Sequence, residues 1–213
     1  FHEPQLWNAL KGSVILSISC ALLAGTCGLL IGYAVSKKRK SKLAQMVNGM
    51  AFFPYLLPSV SLSAIFFLLS ISLGWPYKFP MMVCIVLGTL KYIPFASRSS
   101  LNAMMQLSGE IEESAVIQNV PWWKRMVRIV FPIQKSAFLS GYLLPFISCM
   151  RELNLFVFLG TDTMIVTKFM YLLEDTGISA LENAANFILV VIILVVNWLV
   201  NLLTGASLDK GIG

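Results

Sequence analysis

Apolar residues run along this chain in five long blocks separated by short polar stretches, at about 13–35, 50–71, 79–97, 136–159 and 184–203. A helix needs roughly 20 apolar residues to cross the hydrocarbon of a bilayer, so each block predicts one spanning helix. The third is the weakest, because it contains Lys91, which near the end of its span would snorkel to the interface. No segment alternates with period two, which argues against a β-barrel. Proline interrupts the blocks at Pro54, Pro58, Pro94 and Pro145. Membrane bundles tolerate such residues because neighbouring groups satisfy the freed carbonyls, so they either shape the helices or mark helices lining a pathway. Gly25, Gly28 and Gly32 share one face of the first block and predict close approach of another helix, within the chain or from a second copy.

The polar positions orient the blocks. Of sixteen basic residues, eleven fall on one side: Lys37, Lys38, Arg39, Lys40 and Lys42 after the first block, Arg98, Lys124, Arg125, Arg128 and Lys135 between the third and fourth, and Lys210 after the fifth. The positive-inside rule makes that side cytoplasmic, which predicts an external N-terminus and a cytoplasmic C-terminus. Composition agrees with lipid as the solvent. Charged residues make up 12% of the chain, against about 25% in soluble domains, and the mean hydropathy is +0.78. The net charge of +6 lies between apolar spans and not along one soluble face, so it does not predict a nucleic-acid partner.

Catalytic and metal chemistry find little to work with. Cys20, Cys27, Cys84 and Cys149 fall inside apolar stretches and read as small buried hydrophobes. No CxxC pair or Cys/His cluster predicts a metal site, and the single histidine is His2. No GxxxxGK[ST] phosphate loop occurs, so the chain predicts no ATP or magnesium site of its own. Arg151 and Glu152 are the charges set deepest in a block. Each is costly in lipid unless it faces protein or water, so both are candidates to line a pathway or gate, with an ion pair to another helix as the plainer alternative. The stretch from Gly160 to Ala180, with Asp162, Lys168, Glu174 and Asp175 among Phe169, Met170, Leu172 and Leu173, predicts a short helix lying on the outer surface.

The polar segment 108–132 predicts two short helices meeting at a turn. Ser108 suits an N-cap, and Glu110, Glu112 and Glu113 place negative charge at the favourable end of the helix dipole. Asn119 can take the left-handed conformation that ends a helix. Pro121 suits the start of the next helix, and Pro132 is expected to close it. Trp122 and Trp123 would anchor the unit at a membrane surface.

Residue for residue, this segment resembles the EAA loop of permeases in binding-protein-dependent ABC importers. Glu112 and Glu113 stand at the acids, Ser114 and Ala115 at the alanine pair, and Asn119 where the family has glycine. Trp123, Arg125, Arg128, Ile129 and Pro132 keep register, with Phe131 in place of leucine. In the fourth block, Met150 to Asn154 resembles a stretch of the branch importing iron(III), whose relatives carry polyamines, thiamine and phosphonate. The resemblance implies a five-helix, all-α type I permease core, with residues 1–213 as one transmembrane domain of the bacterial cytoplasmic (inner) membrane. It also suggests one half of a longer tandem, since the chain opens on Phe1.

The resemblance further implies that Glu112, Glu113, Ser114, Ala115, Asn119, Val120 and Pro121 dock on a cytoplasmic ABC ATPase dimer, which binds the ATP and Mg that this chain does not. A second permease unit and an extracytoplasmic substrate-binding protein would complete the importer, with iron(III) as cargo and Arg151, Glu152 and Asn154 along its path. The rival from another class is a fragment of an ion-coupled secondary transporter. It predicts acidic residues in several spans and no structured cytoplasmic knuckle.

Overall fold

The computed structural model describes residues 4–74, 78–159 and 164–204. Every regular element among them is helical: α1 (Pro4–Lys37), α2 (Lys42–Leu56), α3 (Ser59–Ile71), α4 (Pro80–Gln106), α5 (Gly109–Ile117), α6 (Trp122–Arg125), a π-helical stretch (Met126–Val130), α7 (Phe131–Ile133), α8 (Lys135–Met150), α9 (Val166–Asp175) and α10 (Ser179–Thr204). Three of these, α1, α4 and α10, are long and apolar enough to cross a membrane singly.

The glycine face of α1 sets the centre of the bundle. A Cβ on Gly28 would run into Ala96 and Ser97, and one on Gly32 would come within 2.6 Å of Ser100. Cys20 meets Gly88 in the same way. These contacts advance in the same direction along both helices, so α1 and α4 lie parallel, backbone close to backbone, as small residues permit. Gly25 receives the ring of Tyr142 from α8. Along α4 and α8 the contacts advance oppositely, with Ser99 donating to the Ala137 carbonyl, Gly141 packing on Ala96, and the Tyr92 hydroxyl 3.4 Å from the Ser148 carbonyl. The glycines of the first block therefore serve packing inside the chain.

Parallel α1 and α4 require the chain between them to return across the same thickness. It does so as a broken pair and not as the single helix predicted at 50–71: α2 and α3 meet at 100°. Pro58 is the physical cause. It lacks the N–H that the Pro54 carbonyl needs, and it forces Leu57 into an extended conformation (ψ 137°). Pro54, Pro94 and Pro145 sit inside helices without breaking them.

The fourth predicted span also needs correction. Its helix α8 ends at Met150, after 16 residues, and the chain from Arg151 to Leu159 folds into turns. The Glu152 side chain accepts the backbone N–H of Leu155 at 3.1 Å, a local bond that competes with continuing the helix. Helix α9 is more embedded than a surface helix would be. Phe169 and Leu173 are buried with Leu6 and Leu10 of α1 and Leu189 of α10, and the Lys168 ammonium is buried on the Leu159 carbonyl. Asp162 and Gly160 lie outside the described residues. Of the cysteines, Cys20, Cys84 and Cys149 are buried in one core with Leu16, Leu87 and Phe156, while Cys27 is exposed.

Candidate functional site

The segment from Gly109 to Ile133 forms a knuckle at the end of the bundle where α1 and α4 finish. Helix α5 ends in a Schellman turn: the N–H of Val120 donates to the Ala115 carbonyl at 3.0 Å and that of Asn119 to Val116 at 2.9 Å. Asn119 has φ +55° and is the one non-glycine residue with positive φ among the described residues, as its side chain allows. Ser108 stands at the N-cap position, but its hydroxyl makes no capping bond. Pro121 precedes α6. Pro132 does not close the second helix. The Phe131 N–H instead reaches five residues back to Met126, giving the π-helical stretch, and the helical path bends only at Gln134 (φ −106°, ψ 23°).

The knuckle is tied to α1. Glu112, only 4% exposed, accepts the Tyr33 hydroxyl at 2.5 Å and pairs with the Lys37 ammonium at 2.5 Å. Tyr33 also meets the Trp122 ring edge-on at 5.8 Å, so the last turns of α1 hold both arms. Burial alone would push the Glu112 carboxyl up. The hydrogen bonds from Lys37 and Tyr33, with the charges of Lys37 and Arg125, outweigh it and leave its pKa below the ordinary value. Beneath the second arm, Met126 and Val130 pack on Ala103, Met104 and Phe138.

The predicted coupling set therefore divides. Glu112 and Ala115 face inward, Glu113, Ser114, Asn119 and Pro121 face outward, and Val120 is half-buried. The inward pair is turned toward the chain's own bundle, and the outward four lie at its surface. Ile117, which sequence reasoning passed over, is 81% exposed, and Val127 is 62% exposed. Together with Trp123 they give the knuckle an apolar outer face.

A second feature lies further along the bundle, where a cavity of about 700 Å³ opens between the α2–α3 break, α4 and the end of α8. Arg151 and Glu152 line it. They stand at and just beyond the end of α8 and not within a spanning helix. Asn154 is exposed and is not part of the lining. Glu152 accepts the Tyr92 hydroxyl at 2.5 Å. The expectation that Lys91 snorkels to the interface is overturned: it is 6% exposed and its ammonium lies 2.6 Å from the Leu57 carbonyl, on the cavity wall. The signal that could have found it is Pro58 four residues after Pro54, a spacing that leaves a carbonyl without its donor. No group of three or more His, Cys, Asp or Glu side chains converges on a metal position among the described residues.

Comparison with known proteins places this architecture. Residues 25–208 match the family described as the inner membrane component of binding-protein-dependent transport systems. The ferric transport system permease protein of Actinobacillus pleuropneumoniae is 25% identical over 91% of the chain, which spans 29% of that protein's length. The spermidine/putrescine transport system permease protein of Haemophilus influenzae is 27% identical, covering 96% of this chain and 79% of that one. Among solved structures, a bacterial alginate ABC transporter superposes with a TM-score of 0.72 at 18% identity, covering 97% of this chain and 82% of that chain. An inward-facing methionine ABC transporter gives 0.67 at 15%, covering 95% and 97%. At those identities the likeness shows the fold. The all-α permease fold and the match over most of the chain make this protein a member of the binding-protein-dependent transport system inner membrane component family.

Proposed function

We propose that the chain is the translocation subunit of an ATP-driven importer, in which the α5–α6 knuckle receives the stroke of a separate cytoplasmic ATPase dimer. The observation that carries this reading is the tie at Glu112. A knuckle with exposed Ile117 and Trp123 on its outer face, and a buried carboxylate locked to Tyr33 and Lys37 inside, turns a push on the surface into movement of α1. Glu113 and Ser114 face outward where a partner's cleft would take them. ATP and Mg would bind the ATPase and not this chain. On this reading the basic end of the bundle is cytoplasmic and the N-terminus external. The cavity at Arg151 and Glu152 belongs to the cargo path, a second permease unit closes that path, and a binding protein delivers cargo from outside.

For the cargo we favour iron(III). The support is the similarity to a ferric permease along 91% of the chain and the stretch from Met150 to Asn154. The spermidine/putrescine relative names the main competitor. Reconstitution in proteoliposomes with the cognate ATPase and binding protein tests both levels. ATP-dependent uptake of radioactive iron(III) is the expected result, and ATP-dependent uptake of spermidine instead would move the cargo but keep the class. Uptake driven by an ion gradient without the ATPase would overturn the class.

A further inference from the structure

Pro58 leaves the end of α2 short of hydrogen-bond donors. The Pro54 carbonyl would normally accept from the residue four positions on, which is Pro58, and the extended turn at Leu57 withdraws the donors that follow. In an apolar surrounding such carbonyls must be satisfied from elsewhere. The ammonium of Lys91 supplies what is missing: it lies 2.6 Å from the Leu57 carbonyl and 3.4 Å from each of those of Pro54 and Tyr55. An ammonium has three donors and no acceptor, and its charge faces the negative end of the α2 dipole. The contact is reinforced by side chains. Lys91 lies over the Tyr55 ring at 5.6 Å, and Tyr55 meets Phe95 edge-on at 5.2 Å.

The next residue of α4 grips the other side. The Tyr92 hydroxyl donates to Glu152 at 2.5 Å and lies 3.4 Å from the Ser148 carbonyl. Consecutive helical residues point about 100° apart, so Lys91 and Tyr92 leave α4 toward two different walls of one cavity. The α2–α3 break forms one wall and the end of α8 the other.

We propose that Lys91 and Tyr92 are positioning residues that act as a clamp on the width of this cavity, Lys91 by replacing the donors lost at Pro58 and Tyr92 by holding Glu152. Lys91 thus serves the bend more than it serves as a free charge for cargo. The clamp does not rest on the importer reading.

The test uses the full chain in nanodiscs, with Cys27→Ser to remove the exposed native thiol and spin labels at Ser59→Cys and Ser148→Cys on the two walls. Neither ATPase nor cargo enters the measurement, so its outcome is independent of the importer reading. The unaltered clamp should give one narrow label-to-label distance distribution. Lys91→Met should broaden it and lower the unfolding temperature, Lys91→Arg should preserve it, and Tyr92→Phe should shift it. The decisive arm is Pro58→Ala, which returns an N–H to the Pro54 carbonyl. Combined with Lys91→Met, it should restore a single narrow distribution and most of the lost unfolding temperature. If Lys91→Met is too unstable to purify, recovery of a folded double variant is the supporting result. An unchanged distribution in Lys91→Met overturns the clamp, and so does failure of Pro58→Ala to repair that variant while being tolerated alone.

Discussion

The Tyr33 hydroxyl, in the last turns of α1, lies 2.5 Å from Oε1 of Glu112 in α5, and the Lys37 ammonium takes the other carboxylate oxygen. Removing the hydroxyl with Tyr33→Phe leaves a buried charged acceptor one donor short, a loss of about 1.5–3 kcal/mol. Lys37→Gln should cost more, because it takes from a carboxylate that is only 6% exposed both a donor and its counter-charge. Thermal unfolding in detergent ranks the two, and equal losses would refute the ranking.

The same carboxylate predicts a pH dependence. Its folded pKa lies below the ordinary 4.5, so the stabilisation is complete above the unfolded value and is lost as pH falls through the folded one. Wild type should lose unfolding temperature below about pH 4.5 more steeply than Glu112→Gln. Parallel curves for the two proteins would remove Glu112 as the cause.

Two glycines should behave oppositely. A Cβ at Gly28 meets Ala96 and the Ser97 backbone nitrogen, whereas one at Gly49 meets nothing within 4 Å. Gly28→Ala should destabilise by roughly 1–3 kcal/mol through overpacking. Gly49→Ala, in the exposed interior of α2, should stabilise by about 0.5–1 kcal/mol. Unfolding temperatures of the two variants check both signs.

At the knuckle, Asn119 has φ +55°. Asn119→Gly should hold or slightly raise stability, while Asn119→Val forces a β-branched residue into the left-handed region at about 1–2 kcal/mol. Hydrogen exchange at the Val120 amide, bonded to Ala115, reports whether the turn survives.

If the knuckle docks on an ATPase as proposed, docking should depend on its outer face. Ile117 is 81% exposed, so Ile117→Ser leaves the fold intact. If Ile117 is buried on docking, its loss removes about 1.5–3 kcal/mol, roughly a tenfold to hundredfold weakening. Glu113→Lys should weaken docking as well, without affecting membrane insertion. Co-purification of either variant with the ATPase at wild-type yield would refute the docking face. Arg151→Ala should impair uptake while assembly persists, and unchanged uptake would remove it from the path.

Solvent, helical class and knuckle are legible in the residues alone, because each is local. Twenty-residue apolar blocks answer to bilayer thickness, and a turn at Asn119 answers to backbone sterics. Gly25, Gly28 and Gly32 announced a close helix contact but could not name α4 and α8 as the helices received. The remaining features depend on contacts between distant parts of the chain. Pro58 breaks the second block because a buried Lys91, thirty-odd positions away in the chain, is there to take the stranded carbonyls. Glu112 turns inward because Tyr33 and Lys37 wait at the end of α1. Beyond Met150, where the helix of the fourth block stops, Glu152 turns to Tyr92 of α4. In each case a polar group at membrane depth or under a knuckle must be satisfied, and its partner is distant in sequence. Hydrophobic periodicity reports which residues leave water; it does not report which polar groups meet once they have left.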